Sequence, residues 1–178
     1  MTWYVVLIVL VALERLVELV VSKRNIAWAL ERGGREFGFD HYPFMVVLHL
    51  ALLICPLVEI AVLDRPFLPW LGWPMLALVI GAQALRWWCI TTLGPRWNTR
   101  VVVVPGLPLV RTGPYRWGWL RHPNYVAVVI EGFALPLVHT AWLTALGFTL
   151  LNVALLRVRI RTENQALALC PTAARPTG

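Results

Sequence analysis

The chain has 178 residues, 59% hydrophobic and 14% charged, with a net charge of +7 and a mean hydropathy of +0.69. Polar residues are too few to cover a soluble domain of this size, so the composition reads as an all-α integral membrane protein. The basic balance reads as the Lys/Arg excess of cytoplasmic loops, not as a nucleic-acid surface.

The first apolar run, Trp3–Val21, carries Glu14, Arg15 and Glu18. Arg15 and Glu18 are three residues apart and can neutralise each other inside a helix bundle. No basic segment and no small-residue cleavage site precede Glu14-Arg15, so this run is expected to be retained, not removed as a signal peptide. Two further runs, Tyr42–Val62 and Leu68–Trp88, are long enough to cross about 30 Å of hydrocarbon. Pro123–Val138 is short, and only His139 and Thr140 separate it from Ala141–Leu156. These last two runs are predicted to form a tight helical hairpin with Pro136 near its turn. The whole reads as one domain over residues 1–170 with about five transmembrane helices, followed by a flexible tail over residues 171–178.

The cations test this layout. Lys23, Arg24, Arg32 and Arg35 lie between the first and second runs, and Arg96, Arg100, Arg111, Arg116 and Arg121 between the third and fourth. Arg157, Arg159, Arg161 and Arg175 follow the last. Five crossings put all of these on one side and leave Arg65 alone on the other. The asymmetry predicts an outside N-terminus and a cytoplasmic C-terminus, as in a bacterial inner membrane.

Between the third and fourth runs, residues 92–122 are punctuated by Gly94-Pro95, Pro105-Gly106, Pro108 and Gly113-Pro114. That excludes a continuous helix, and Val101–Val104 is predicted to be extended. A connector this long is commonly functional. It is expected to cap a site at the cytosolic face.

The chemistry gathers there. From Arg65 to Ile130 there is no Asp or Glu, yet six arginines follow Arg65. Such a stretch suits a carboxylate, phosphate or phenolate ligand. Pro123 belongs in a first helical turn, which puts His122 at a helix N-terminus, where anions are favoured. A lone interfacial His is more often structural, but here it stands with Tyr115, Arg121, Asn124 and Tyr125. Glu131 lies inside the fourth run, where an ionisable group marks a functional candidate. Arg159 and Glu163 are four residues apart and would share a helix face, close enough to pair. Cys55, Cys89 and Cys170 have neither a CxxC spacing nor a His at ligand spacing. No disulfide framework or metal site is expected from them. No dinucleotide fingerprint or P-loop is visible.

Gly113-Pro114-Tyr115, then Arg121-His122-Pro123-Asn124-Tyr125, then Arg159-Ile160-Arg161-Thr162-Glu163 resemble the isoprenylcysteine carboxyl methyltransferase family. The resemblance covers roughly residues 80–170. It implies S-adenosylmethionine as methyl donor and a lipophilic acceptor that enters from the bilayer. By motif match it implies a donor site built from Tyr115, Arg121, His122 and Tyr125, with backbone from Leu109, Val110 and Gly113. It also implies a reaction centre at Arg159 and Glu163. Glu131, by its depth in the fourth run, is a second candidate acid. The segment Arg116-Trp117-Gly118-Trp119-Leu120 is longer than the family's usual spacing, and Asn164 stands where a second acid is common. Trp97-Asn98, Asn124, Glu131 and Glu163-Asn164 look more like a small bacterial branch whose members methylate hydroxyls of alkylpyrones or alkylresorcinols. Two other readings are an NADPH-dependent membrane sterol reductase, which also carries an RHPNY stretch, and a non-catalytic lipid-binding protein. Oligomeric state is not legible in the chain.

Overall fold

The computed structural model describes residues 2–117 and 122–168. Five helices follow the five apolar runs: α1 (Thr2–Leu30), α2 (Tyr42–Leu63), α3 (Pro69–Leu93), α4 (Pro123–Leu137) and α5 (Trp142–Leu167). Stretches around α2, α3 and α5 are long and apolar enough to cross a membrane on length and composition alone. α1 is interrupted by Glu14, Arg15 and Glu18, and α4 has only 15 residues. Many apolar side chains on the outer faces are more than half exposed, among them Leu10 and Leu16 on α1, Val62 on α2 and Leu150 and Leu151 on α5. An exposed apolar surface on this scale is the outside of a membrane protein.

Proline and left-handed residues set the helix ends. Pro69 and Pro123 occupy the first turns of α3 and α4, where a missing N–H has no intrahelical partner. Asp64 (φ 46°) ends α2 and Gly94 (φ 54°) ends α3. Thr140 (φ 57°) turns the chain between α4 and α5, and its hydroxyl donates to Pro66 O at 2.6 Å. Glu59 on α2 accepts from Leu143 N at 3.1 Å and Thr144 N at 2.8 Å, so a buried carboxylate caps the positive end of α5.

α4 is the central helix. It packs between α3 and α5, and Ala134, Leu135 and Leu137 are almost fully buried. α1 joins through the Tyr4 hydroxyl, which donates to Leu135 O at 2.9 Å. Gly132 lets α5 approach: a Cβ there would lie 1.9 Å from the Phe148 ring. Most of α4 is buried and its exposed residues, Val129 and Phe133, are apolar, so it lacks the polar stripe of a surface helix.

A cluster of charge pins α1, α3 and α4 together in mid-bundle. Glu131 receives Arg15 Nη2 at 2.5 and 2.7 Å, Arg86 Nη2, and Gln83 Nε2 at 3.3 Å. Arg15 also holds Glu18 at 2.5 Å, and Arg86 Nε faces Glu18 at 3.5 Å. Two arginines thus meet two glutamates, the balance a low-dielectric interior demands.

Helix ends alternate, so the C-termini of α1, α3 and α5 and the N-termini of α2 and α4 share one end of the bundle. There a two-stranded ribbon forms. β1 (Arg35–Phe37) pairs antiparallel with β2 (Val101–Val103), Arg35 opposite Val103. Val101 and Val103 pack on Ala166 of α5. The opposite end carries Trp3, Trp70, Trp73 and Trp142, the aromatic belt of a membrane interface.

Candidate active site

A cavity of about 920 Å³ opens at the ribbon end, between the 94–117 connector and the ends of α1, α4 and α5. That volume is near the top of the usual range for small-molecule sites. Its walls include Leu109 and Val110, Tyr115, His122 and Tyr125, and Arg159 with Glu163. Most of the predicted residues therefore converge on one space. Gly113 and Glu131 are not among the lining residues. Arg121 and the tail lie outside the described residues.

Tyr125 is the hinge of the polar cluster. One turn into α4, its hydroxyl donates to Glu163 Oε2 and accepts from Arg159 Nε at 2.7 Å. Arg159 and Glu163 are thus joined through a phenol, where the sequence predicted a direct pair. The reason is geometric: Arg159 turns inward and is 5% exposed, with its remaining contacts made to other elements. Nη1 approaches Met45 Sδ of α2 at 2.8 Å, and Nη2 donates to Thr99 O at 2.7 Å. A guanidinium has five N–H groups. One on each terminal nitrogen is left for a ligand oxygen.

His122 stands at the mouth of α4. Its ring stacks on Tyr125 with centroids 5.3 Å apart, Nε2 meets Asn164 Oδ1 at 3.2 Å, and Nδ1 lies 3.5 Å from Glu163 Oε1. Asn164, which replaces an acid on the family pattern, therefore orients the imidazole. Gly113 shapes the wall without lining it. At φ +53° it starts the turn Gly113–Arg116, and a Cβ there would lie 2.5 Å from Thr92 Oγ1. This close fit against α3 brings Tyr115 to Cys89. Burial, and then the Cys89 thiol, raise the Tyr115 pKa well above the usual phenol value, so Tyr115 serves as a neutral hydrogen-bonding group.

Glu131 is 2% exposed and belongs to the mid-bundle charge cluster. Both of its oxygens are engaged by arginine. Met45 and Thr99 are not legible in the sequence, because a thioether and a backbone carbonyl leave no motif.

Residues 75–169 match the Isoprenylcysteine carboxyl methyltransferase (ICMT) family. The chain belongs to the ICMT family. It is also similar to the uncharacterized protein YpbQ of Bacillus subtilis (strain 168), at 36% identity over 168 residues, which cover 94% of this chain and 96% of YpbQ. Membership makes the chain a membrane methyltransferase and displaces the sterol-reductase reading of the RHPNY stretch. The ICMT match takes in α4, α5, the connector and most of α3, and so every predicted site residue. α1 and α2 lie outside it, although α1 supplies Trp28 to the cavity wall and α2 supplies Met45 to Arg159.

Proposed function

We propose that this ICMT-family protein is an S-adenosylmethionine-dependent O-methyltransferase acting on a lipophilic acceptor. The favoured acceptor is the hydroxyl of a polyketide-derived alkylpyrone or alkylresorcinol, with a prenylcysteine-like carboxylate as the alternative. The observation that carries the reading is the Arg159–Tyr125–Glu163 array at one edge of a large cavity otherwise lined by His122, Tyr115 and connector backbone.

The walls suit a polar donor. Trp97 Nε1, Asn98 Oδ1 and Asn124 Oδ1 belong to cavity-lining residues and are buried with no hydrogen-bond partner among the described residues. Buried polar atoms are normally paired, so these three fit a ligand bringing amine, hydroxyl and carboxylate groups. His122, Tyr115, Tyr125, Arg121 and the backbone at Leu109 and Val110 would hold it. When bound, the donor supplies a methyl group already activated on a sulfonium.

The protein's own part is alignment and exclusion of water. The two spare N–H groups of Arg159 hold the acceptor oxygen and stabilise its anionic form. Glu163 takes the proton of a hydroxyl acceptor directly or through the Tyr125 hydroxyl, which already donates to it. A carboxylate acceptor has no proton to lose and would need Glu163 only to orient Arg159.

α4 explains how an acceptor in the bilayer reaches this point. At 1.5 Å per residue its length is about 22 Å, short of the roughly 30 Å of hydrocarbon. With the far end of α4 at the tryptophan-bearing face, where the exposed Trp142 opens α5, His122 at the near end falls below the opposite membrane surface. An amphiphile can present its head to Arg159 while its chain stays in lipid. The positive ribbon end faces the cytoplasm in this reading, where the donor is made.

The test is methyl transfer from labelled S-adenosylmethionine by purified protein in lipid, offered a long-chain hydroxypyrone or resorcinol and, separately, a prenylcysteine. Label on the oxygen of the polyketide lipid is expected. Label only on prenylcysteine would overturn the acceptor assignment, and label on neither would overturn the reaction.

A further inference from the structure

α1 lies outside the family match, yet its last turns grip the segment that holds Arg159. Asn25 Nδ2 donates to Gly94 O at 3.1 Å and Trp97 O at 2.6 Å. Ser22 Oγ, on a residue 1% exposed, accepts Thr99 N at 3.0 Å and meets Thr99 Oγ1 at 2.9 Å. The carbonyl of the same Thr99 receives Arg159 Nη2 at 2.7 Å. Residues 94–99 thus run between two side chains of α1 on one side and the guanidinium on the other. Neither Ser22 nor Asn25 is among the residues lining the large cavity.

The geometry points to Ser22 and Asn25 as positioning residues for methyl transfer, acting through Thr99 to set the direction of the Arg159 guanidinium. This rests on the role proposed above for Arg159 at the acceptor oxygen. The physical argument is one of hydrogen-bond supply. The segment from Gly94 to Arg100 contains only a single helical turn and borders β2, so it cannot satisfy or fix its own backbone. α1 provides that order from outside. A carbonyl free to rotate would let Arg159 trade its Thr99 contact for others, and an acceptor oxygen would meet a misdirected donor pair. A misplacement of this kind slows chemistry more than it weakens donor binding.

The test compares Ser22→Thr with Ser22→Val, which have the same shape and differ only by the hydroxyl, and adds Asn25→Leu. Three quantities are read in lipid: turnover, affinity for S-adenosylmethionine, and amide hydrogen exchange over residues 94–100. Ser22→Val and Asn25→Leu should lose about tenfold in turnover, the scale of one hydrogen bond. Exchange over 94–100 should rise, and donor affinity should fall by less than turnover does, because Trp97 and Asn98 of the same segment line the cavity proposed for the donor. Ser22→Thr should keep wild-type turnover and exchange. Equal turnover in Ser22→Thr and Ser22→Val would overturn the proposal, as would faster exchange with undiminished turnover. Failure of wild-type protein to transfer a methyl group at all would instead sink the function proposed above. The clamp would then be judged on exchange alone, and unchanged exchange over 94–100 in both Ser22→Val and Asn25→Leu would refute it.

Discussion

The Tyr125 hydroxyl donates a hydrogen bond to Glu163 and accepts one from Arg159, so a single atom fixes the spacing of a carboxylate and a guanidinium across a helix turn. Tyr125→Phe removes both contacts and leaves the ring that stacks on His122. Turnover should fall about ten- to a hundredfold, the worth of one or two charge-assisted hydrogen bonds, with donor affinity little changed. Steady-state kinetics beside equilibrium binding will read this split, and a parallel loss of both would place Tyr125 in donor binding alone. Arg159→Lys should be as damaging as a truncation, because an ammonium cannot reach Tyr125, Met45 and Thr99 together and still present two donors. Turnover of the lysine variant within about threefold of wild type would refute a directional role for the guanidinium.

Most of this site was legible at the residue scale because the residues sit in short sequence motifs. Tyr115, His122 and Tyr125 were found through their neighbours, and Arg159 and Glu163 through helical spacing. Glu131 stands apart from the cavity for a physical reason. Depth in a membrane marks a charge as costly, but depth alone does not tell a reacting acid from one neutralised by Arg15 and Arg86, which come from helices far away in the chain. Thr99 stayed invisible because its contribution is a carbonyl.

At the scale of elements, α4 is held on both flanks by features a single substitution can test. Gly132→Ala would drive a methyl into the Phe148 ring and should destabilise the fold by about 1–3 kcal/mol, as overpacking usually does. Adding Phe148→Leu should recover part of the loss, and thermal unfolding in detergent is the readout. Glu131→Gln strands two buried guanidinium groups and should lose about 3–5 kcal/mol. Its residual folded fraction should bind donor normally, since Glu131 is not among the residues lining the cavity. The five helices themselves were plain from hydropathy, as was the extended stretch at Val101. The partner strand β1 was not, because Arg35–Phe37 is too short to show a pattern and forms only where β2 meets it.

Across the whole molecule, cations and cavity share one end, and Trp3, Trp70, Trp73 and Trp142 mark the other. That polarity suits the proposed task of joining a water-soluble donor to a bilayer-borne acceptor. It also predicts which end faces the cytoplasm. A cysteine placed in the 31–41 connector of a protein lacking its native cysteines should resist a membrane-impermeant maleimide in intact cells and react after lysis. Labelling in intact cells would invert the assigned orientation. The central claim is that the cavity under the connector is the donor site, and equilibrium binding of S-adenosylmethionine to the protein in lipid tests it most directly. Wild-type protein should bind the donor and be competed by its demethylated product, while a folded His122→Ala protein should bind at least about tenfold more weakly. Absence of binding to the wild type, or undiminished binding to the folded variant, would contradict it.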